Sequence, residues 1–275
     1  MDMKGPALFP PREILAPTDG SELSKAALGH ARLYHERFGS RVTLLHADSF
    51  EAPPYFTGET AKELLLQAKA MRMRAFDDLR REGESILGFR PEVSVVEGPA
   101  SEAILKAAHG MSADLIVMGT HGRGAVESFF MGSVTERTMR GARVPVLGVA
   151  APFEPTPFRR ILCPVGAGSA SQRALAYAAS LAERFESLLT VLHVKANGPE
   201  IFCPQSTDGL RCRTEQVLQS GDPVETILRV AHMGDHDLVV MGFERKSSLW
   251  GELVSSTTER VMRVLRKALL IVPNS

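Results

Sequence analysis

The chain has 275 residues, 44% hydrophobic and 23% charged, with 32 Lys+Arg balanced by 32 Asp+Glu. That balance argues against nucleic acid or an anionic membrane as the main partner, and the apolar content supports one large or two ordinary domains with real cores. No apolar run approaches the roughly 18 residues of a membrane span, the start MDMKGPALFPPREIL has no signal-peptide apolar region, and Cys163, Cys203 and Cys212 follow no CxxC spacing, so unpaired thiols in a reducing cytoplasm are expected.

In chain order, Glu13–Pro17 reads as a first strand. A helix follows over Ser21–Phe38, with apolar residues at helical spacing and Gly39 as its stop. Val42–Ala47 is a second strand, Glu59–Glu84 a charged amphipathic helix and Pro91–Glu97 a third strand. The run MRMR at 71–74 lies on that charged helix, and its arginine stems are expected to snorkel over the sheet. Ala100–His109 is a helix, Leu115–Met118 a short apolar strand, Val134–Gly141 the last helix and Val144–Val149 strand five. Alternating strands and helices with apolar strands imply a parallel sheet covered on both faces.

The pattern then repeats. ILAPTDGSELSKAALGHARLYHERFGSRVTLLHA from Ile14 aligns without gaps on ILCPVGAGSASQRALAYAASLAERFESLLTVLHV from Ile161. Gly98 (GPASEAIL) matches Gly221 (GDPVETIL), Asp114 (DLIVMG) matches Asp237 (DLVVMG), and Thr135-Glu136-Arg137 matches Thr258-Glu259-Arg260. The fold class is therefore α/β, with two tandem Rossmann-like domains, each a five-stranded, mostly parallel sheet flanked by helices. The domains are residues 1–150 and 161–275, joined by a proline-containing linker over 151–160. The second copy is shortened between His193 and Gly221, where the helix equivalent to Glu59–Glu84 is missing. One face of its sheet is thus expected to be less well covered.

Chemistry concentrates in Asp114 to Ser133, DLIVMGTHGRGAVESFFMGS. Gly119 closes a strand, Gly122 follows, and Gly132–Ser133 precede a helix. Bare backbone at a strand end and a helix start is how an α/β protein binds phosphate, because N–H groups and the helix dipole both favour an anion. The alternative is a glycine-rich loop that only turns the chain. Arg123 is the cation within the loop, either touching phosphate or solvated. His121 is a loop histidine that could reach phosphate or stand in solvent. Asp19, after strand one, is a carboxylate in the crevice; it faces a nucleoside, helps hold magnesium, or serves as the N-cap or Asx-turn residue in TDGS before the helix. His46 and His193 at equivalent strand ends read as structural histidines bonding backbone, with metal ligation or catalysis as the alternative. Phe129, Phe130 and Met131 read as packing. In the second copy Gly122 becomes Arg245, Gly132 becomes Ser255 and Asp19 becomes Gly166, while Gly119 and Ser133 survive as Gly242 and Ser256.

Pro17-Thr18-Asp19, Leu45-His46-Ala47, Met118-Gly119 and the G-x2-G-x9-G-S spacing of Gly119, Gly122, Gly132 and Ser133 resemble the universal stress protein family of the tandem two-domain type. The resemblance implies the adenine-nucleotide alpha-hydrolase-like fold and, from the glycine spacing, ATP binding. It places Gly119, Gly122, Arg123, Gly132, Ser133, Val134 and Thr135 around ribose and phosphates, Pro17, Thr18, Asp19 and Met118 near the nucleoside, and Ala47 against adenine through its backbone. It implies ATP as the cofactor, with magnesium through Asp19 as a further candidate. It also implies pairing of Val144–Val149 with Ala268–Val272 inside the chain, or between two copies as a homodimer. No lysine stands in a GK[ST] loop and no base faces a γ-phosphate. The expected role is therefore a nucleotide-dependent stress-response or regulatory module rather than an efficient enzyme. A slow ATP-hydrolysing or adenylate-transferring enzyme of the same architecture is the alternative.

Overall fold

The structure is a computed structural model that describes residues 9–48, 58–121, 131–150, 156–195, 207, 209–244 and 256–274. Along the first copy run β1 (Glu13–Pro17), α1 (Glu22–Phe38), β2 (Arg41–Asp48), α2 (Gly58–Leu87), β3 (Glu92–Glu97), α3 (Ala100–Gly110), β4 (Leu115–Gly119), α4 (Ser133–Gly141) and β5 (Val146–Val149). The second copy continues with β6 (Arg160–Val165), α5 (Ser169–Phe185), β7 (Leu188–Lys195), β8 (Arg213–Ser220), α6 (Pro223–Met233), β9 (Leu238–Phe243), α7 (Thr257–Val264) and β10 (Ala268–Pro273). Local chemistry sets the boundaries. Ser21 caps α1 by accepting from Ser24 N, and Gly39 ends it at φ +70°, donating its N–H to His35 O.

The strand order is β3-β2-β1-β4-β5-β10-β9-β6-β7-β8, one ten-stranded sheet. Within each copy every pairing is parallel, and the copies join where β5 meets β10 antiparallel, Leu147 opposite Leu270. The strand-five pairing expected from the resemblance thus occurs within the chain. Ile14, Leu44 and Val117 face one core with Leu28 and Tyr34 of α1 and Ala178 and Leu181 of α5. Leu15, Leu45 and Ile116 face the other with Ile104 of α3, Met139 of α4, Ile227 of α6 and Met262 of α7. The strands are apolar without alternation because both sheet faces are covered.

Among the described residues the second copy has no counterpart of α2, and there the exposed strand face has changed character. Val191 and His193 of β7 pair with Gln216 and Leu218 of β8. Gln216 and Ser220 are exposed, and Leu218 is 58% exposed. Leu210 and Cys212, from the loop before β8, pack on the adjoining core. On this edge strand polar residues and the packing of Leu210 and Cys212 stand where the first copy has a covering helix. On α2 itself, Met71 and Met73 of the MRMR run are exposed, 68% and 65%, as is Arg74. Arg72 turns inward to Asp48 (3.1 Å) and Glu97 rather than lying over the sheet.

The repeated Asp114 and Asp237 have a shared structural task. Asp114 Oδ2 accepts from Arg12 N and Glu13 N at 2.8 and 3.0 Å, and Asp237 Oδ2 from Arg159 N and Arg160 N at 2.6 and 2.9 Å. Each carboxylate fastens the start of the neighbouring strand. Asp114→Ala should destabilise the protein by about 2 kcal/mol, the scale of hydrogen bonds to a charged acceptor. Urea unfolding of the variant measures this, and an unchanged midpoint would refute the role.

Candidate nucleotide site

The strand order reverses between β1 and β4, and ligands in such sheets sit beyond the strands' carboxyl ends at that point. A cavity of about 350 Å³ opens there. Pro17, Thr18 and Asp19 enter it from the end of β1, Ala47 from β2, and Met118 and Gly119 from β4. Gly132, Ser133, Val134 and Thr135 close it at the start of α4. Those ten predicted residues, far apart in sequence, therefore line one space. Gly122, Arg123, Phe129 and Phe130 lie outside the described residues, as do Arg245 and Ser255 of the second copy. Ser24, Leu45, Ala100 and Ile104 also line the cavity and were missed. The GPASEAIL repeat carried the signal for the last two, since it sets Ala100 at a helix start and Ile104 one turn later. His46 and His121 line it too, which brings a histidine read as structural and one left between phosphate and solvent to the same cavity.

A hydrogen-bond relay shapes the β1 side. Ser24 Oγ donates to Ser21 O (2.8 Å), so it accepts from Thr18 Oγ1 at 2.9 Å, and Thr18 Oγ1 accepts from Gly20 N at 3.1 Å. Asp19 Oδ1 accepts from Ser21 N (3.0 Å), an Asx turn, while Ser21 provides the helix cap. Of the two local readings of Asp19 the structure takes the Asx turn and leaves the cap to Ser21, and the same residue also lines the cavity. His46 Nδ1 lies 2.9 Å from Thr18 O and therefore carries the proton in that bond. Across the cavity, Thr120 Oγ1 donates to Val149 O (3.3 Å). The same hydroxyl oxygen lies 3.0 Å from His121 Nδ1.

The glycines do different work. A Cβ on Gly119 would meet the backbone of α1, Leu23 C at 2.8 Å and Ser24 N at 2.9 Å. On Gly242 it would meet Ala170 O at 2.3 Å. This position survives in both copies because the first helix packs against the strand end there. Gly132 has an ordinary φ of −61°. Its Cβ would press on Thr120 O at 3.0 Å, and its N–H donates to that same oxygen at 2.8 Å. Thr135 Oγ1 donates to Gly119 O at 2.9 Å, as Thr258 Oγ1 does to Gly242 O.

The two helix starts differ. In the second copy Ser256 caps α7, accepting from Glu259 N (3.2 Å) while Glu259 Oε2 accepts from Ser256 N (2.9 Å), a closed capping box. In the first copy Gly132 occupies the cap position with no side-chain bond, and Ser133 is the first helical residue. The orphan N–H groups of α4's first turn are thus offered to the cavity. Glu136, the counterpart of Glu259, makes no cap: its Oε1 takes Arg140 Nη2 at 2.9 Å and Arg263 Nη2 and Nε at 3.1 and 3.2 Å, while Glu259 keeps its cap and also meets Arg140 at 2.6 Å. Burial opposes ionisation of Glu136, but the hydrogen bonds and charges of Arg263 and Arg140 outweigh it and hold the carboxyl below its usual range.

The sequence pattern of the universal stress protein family matches residues 11–150, 157–200 and 208–273. The chain belongs to the universal stress protein family. A universal stress protein of Thermus aquaticus is 37% identical over 137 residues, spanning 50% of this chain and 96% of that one. A second, from Methanocaldococcus jannaschii, is 31% identical over 142 residues, 51% of this chain and 83% of its own length. Each aligns with half of the present tandem chain. The crystal structure of a universal stress protein from Archaeoglobus fulgidus superposes with a TM-score of 0.74 at 21% identity, covering 96% of this chain and 99% of that one. At that identity it establishes the shared Rossmann-like architecture alone. Among the described residues of this universal stress protein, no helix is long and apolar enough to cross a membrane. Of its cysteines, Cys163 and Cys212 carry free thiols and Cys203 lies outside the described residues. Burial pushes the Cys163 thiol up to about 12, which leaves it inert.

Proposed function

We propose that this universal stress protein binds ATP in its first copy and acts as a nucleotide-dependent regulatory module, with the second copy carrying the fold but no equivalent site. The observation that supports it most strongly is the uncapped α4 start opening on the cavity, set against the capping box that seals α7. Phosphates would meet the N–H groups of Ser133, Val134 and Thr135, with Gly122 and Arg123 completing the loop by position. The nucleoside would lie over Pro17, Thr18, Asp19 and Met118, with Ala47 backbone at the adenine edge. Asp19 is the cavity carboxylate that would face magnesium brought in by the triphosphate. A ligand of this kind biases the protein only through its different affinity for two conformations, so partner binding rather than turnover is its output.

Calorimetric titration with Mg-ATP should show one site per chain. At a hundredfold excess over Kd, ATP should stabilise the fold by about 2.7 kcal/mol, seen as a rise in Tm. Absence of both heat and thermal shift at millimolar ATP would sink the proposal, and a stoichiometry of two would mean that the second copy also binds.

A further inference from the structure

A second cavity lies at the other end of the sheet from the nucleotide site. It has a volume of about 470 Å³ and opens between the last turns of α3 and α4, beside the amino ends of β4 and β5. Its floor is apolar: Leu105 and Ala108 of α3, Ala113 before β4, and Ala142 and Val144 before β5. Three exposed basic side chains, Lys106, His109 and Arg143, stand around it, and among the described residues no aspartate or glutamate lines it. None of the three has an ion-pair partner among those residues. Asp114, the next residue after Ala113, is committed to Arg12 N and Glu13 N.

Cations at the carboxyl end of a helix complement its dipole, and that accounts for basic residues here in both copies: Arg229, His232 and Arg266 hold the matching positions of the second. It does not account for the floor, where the copies differ. Ala113 becomes His236, a buried ring with Nδ1 3.1 Å from Val230 O and Nε2 3.0 Å from Thr190 Oγ1. Ala142 becomes Leu265, Val144 becomes Lys267, and Ser112 becomes Asp235, which Lys267 reaches at 3.7 Å. Larger side chains and an internal ion pair stand where the first copy has small residues around an open cavity. The carbonyls ending α3 are also served without the cations: Ala107 O, Ala108 O and His109 O accept from Met111, Ala113 and Ser112 N at 3.0, 2.9 and 3.1 Å.

We propose that this cavity binds a small organic anion, a short apolar body carrying one phosphate or carboxylate, with the body on the floor of Ala113 and Ala142 and the charge among Lys106, His109 and Arg143. The floor favours the body by burial. Clustered cations without a counter-charge raise the local potential and favour the anion. The site does not depend on the nucleotide reading.

Phenyl phosphate is the probe, with inorganic phosphate as the charge-only control, both followed through backbone amide resonances. Phenyl phosphate should saturate and bind at least about tenfold more tightly than inorganic phosphate, with the largest shifts at Ser112, Ala113 and Ala142. Two variants graft residues of the second copy. In A142L the leucine enters at backbone angles its twin shares, φ −66° and ψ 144° against −72° and 129°, and phenyl phosphate should fall to the affinity of inorganic phosphate. In S112D the aspartate takes a position with positive φ in both copies, 53° and 49°, so the fold tolerates it. Both anions should then bind about threefold to fivefold more weakly. Equal affinities of the two anions in the unmodified protein would reduce the feature to helix-end charge and overturn the proposal. So would a lack of saturation by phenyl phosphate at millimolar concentration, shifts centred on Gly119 and Ser133, or full phenyl phosphate affinity in A142L. If A142L melts early, S112D decides, and an unchanged phenyl phosphate affinity there overturns the site.

Discussion

Gly132→Val should weaken ATP binding by at least about a hundredfold, roughly 2.7 kcal/mol, without unfolding the first copy. The Cβ alone would sit 3.0 Å from Thr120 O and 3.5 Å from His121 Cα, and the branched methyls of valine extend further. The bond from Gly132 N to Thr120 O, 2.8 Å long, leaves no slack to absorb them. Relief comes from moving the start of α4 away from the end of β4, which carries the N–H groups of Ser133 to Thr135 out of the cavity. Few buried side chains depend on that first turn, so the fold should survive. Gly119→Ala provides the contrast. Its Cβ meets the main chain of Leu23 and Ser24 at 2.8 and 2.9 Å, contacts that cannot rotate aside, and the overpacking should cost about 1–3 kcal/mol of global stability. Titration calorimetry and thermal melts on both variants distinguish a lost site from a weakened fold. Undiminished affinity in Gly132→Val would mean that ATP does not use this cavity.

The second large effect is on acid stability, and it lies at the seam between the copies. His30 of α1 is 8% exposed and stacks on Phe158, ring centroids 5.2 Å apart and planes within 9°. Phe158 in turn meets Phe185, and Tyr34 and Phe38 of the first copy contact Phe185 of the second. Among the described residues His30 Nδ1 has no hydrogen-bond partner. Burial pushes its pKa down to about 4, from 6.5. The unfolded chain therefore binds this proton more readily than the native one. Stability from neutral His30 is complete above pH 6.5 and drains away as pH falls from 6.5 to about 4. At 1.36 kcal/mol per pKa unit the loss amounts to about 3 kcal/mol. His30→Phe keeps an aromatic ring against Phe158 and removes the titration. Urea unfolding at a series of pH values should show that variant with a markedly flatter acid limb. His193 and His236 are shifted down by burial in the same sense, so some slope remains. Identical acid limbs in both proteins would refute the assignment to His30.

Much of the molecule is legible in the sequence because its signals are local or periodic. The duplication from Ile14 and Ile161, the helix stop at Gly39 and the apolar strands follow from nearest-neighbour chemistry and from the demand that both sheet faces be covered. The glycine spacing around Gly119 and Gly132 likewise marks the place where a cavity forms. Pattern alone could not assign a reason to each glycine. Gly119 and Gly132 read alike in sequence, yet one answers to the packing of α1 and the other to the oxygen of Thr120. Nor could it place Ala100 and Ile104 in the cavity, since α3 comes against β2 and β1 only after the sheet is assembled. The fate of Ser133 and Glu136 was least accessible. They share their spacing and residue types with Ser256 and Glu259, yet α4 starts at Gly132 with no side-chain cap while Ser256 and Glu259 close the start of α7, although each glutamate reaches an arginine of the other copy. Sequence sets what each residue can bond to within a few positions; which of several available partners it takes depends on elements brought near from more than a hundred residues away, and that choice exists only in the folded chain.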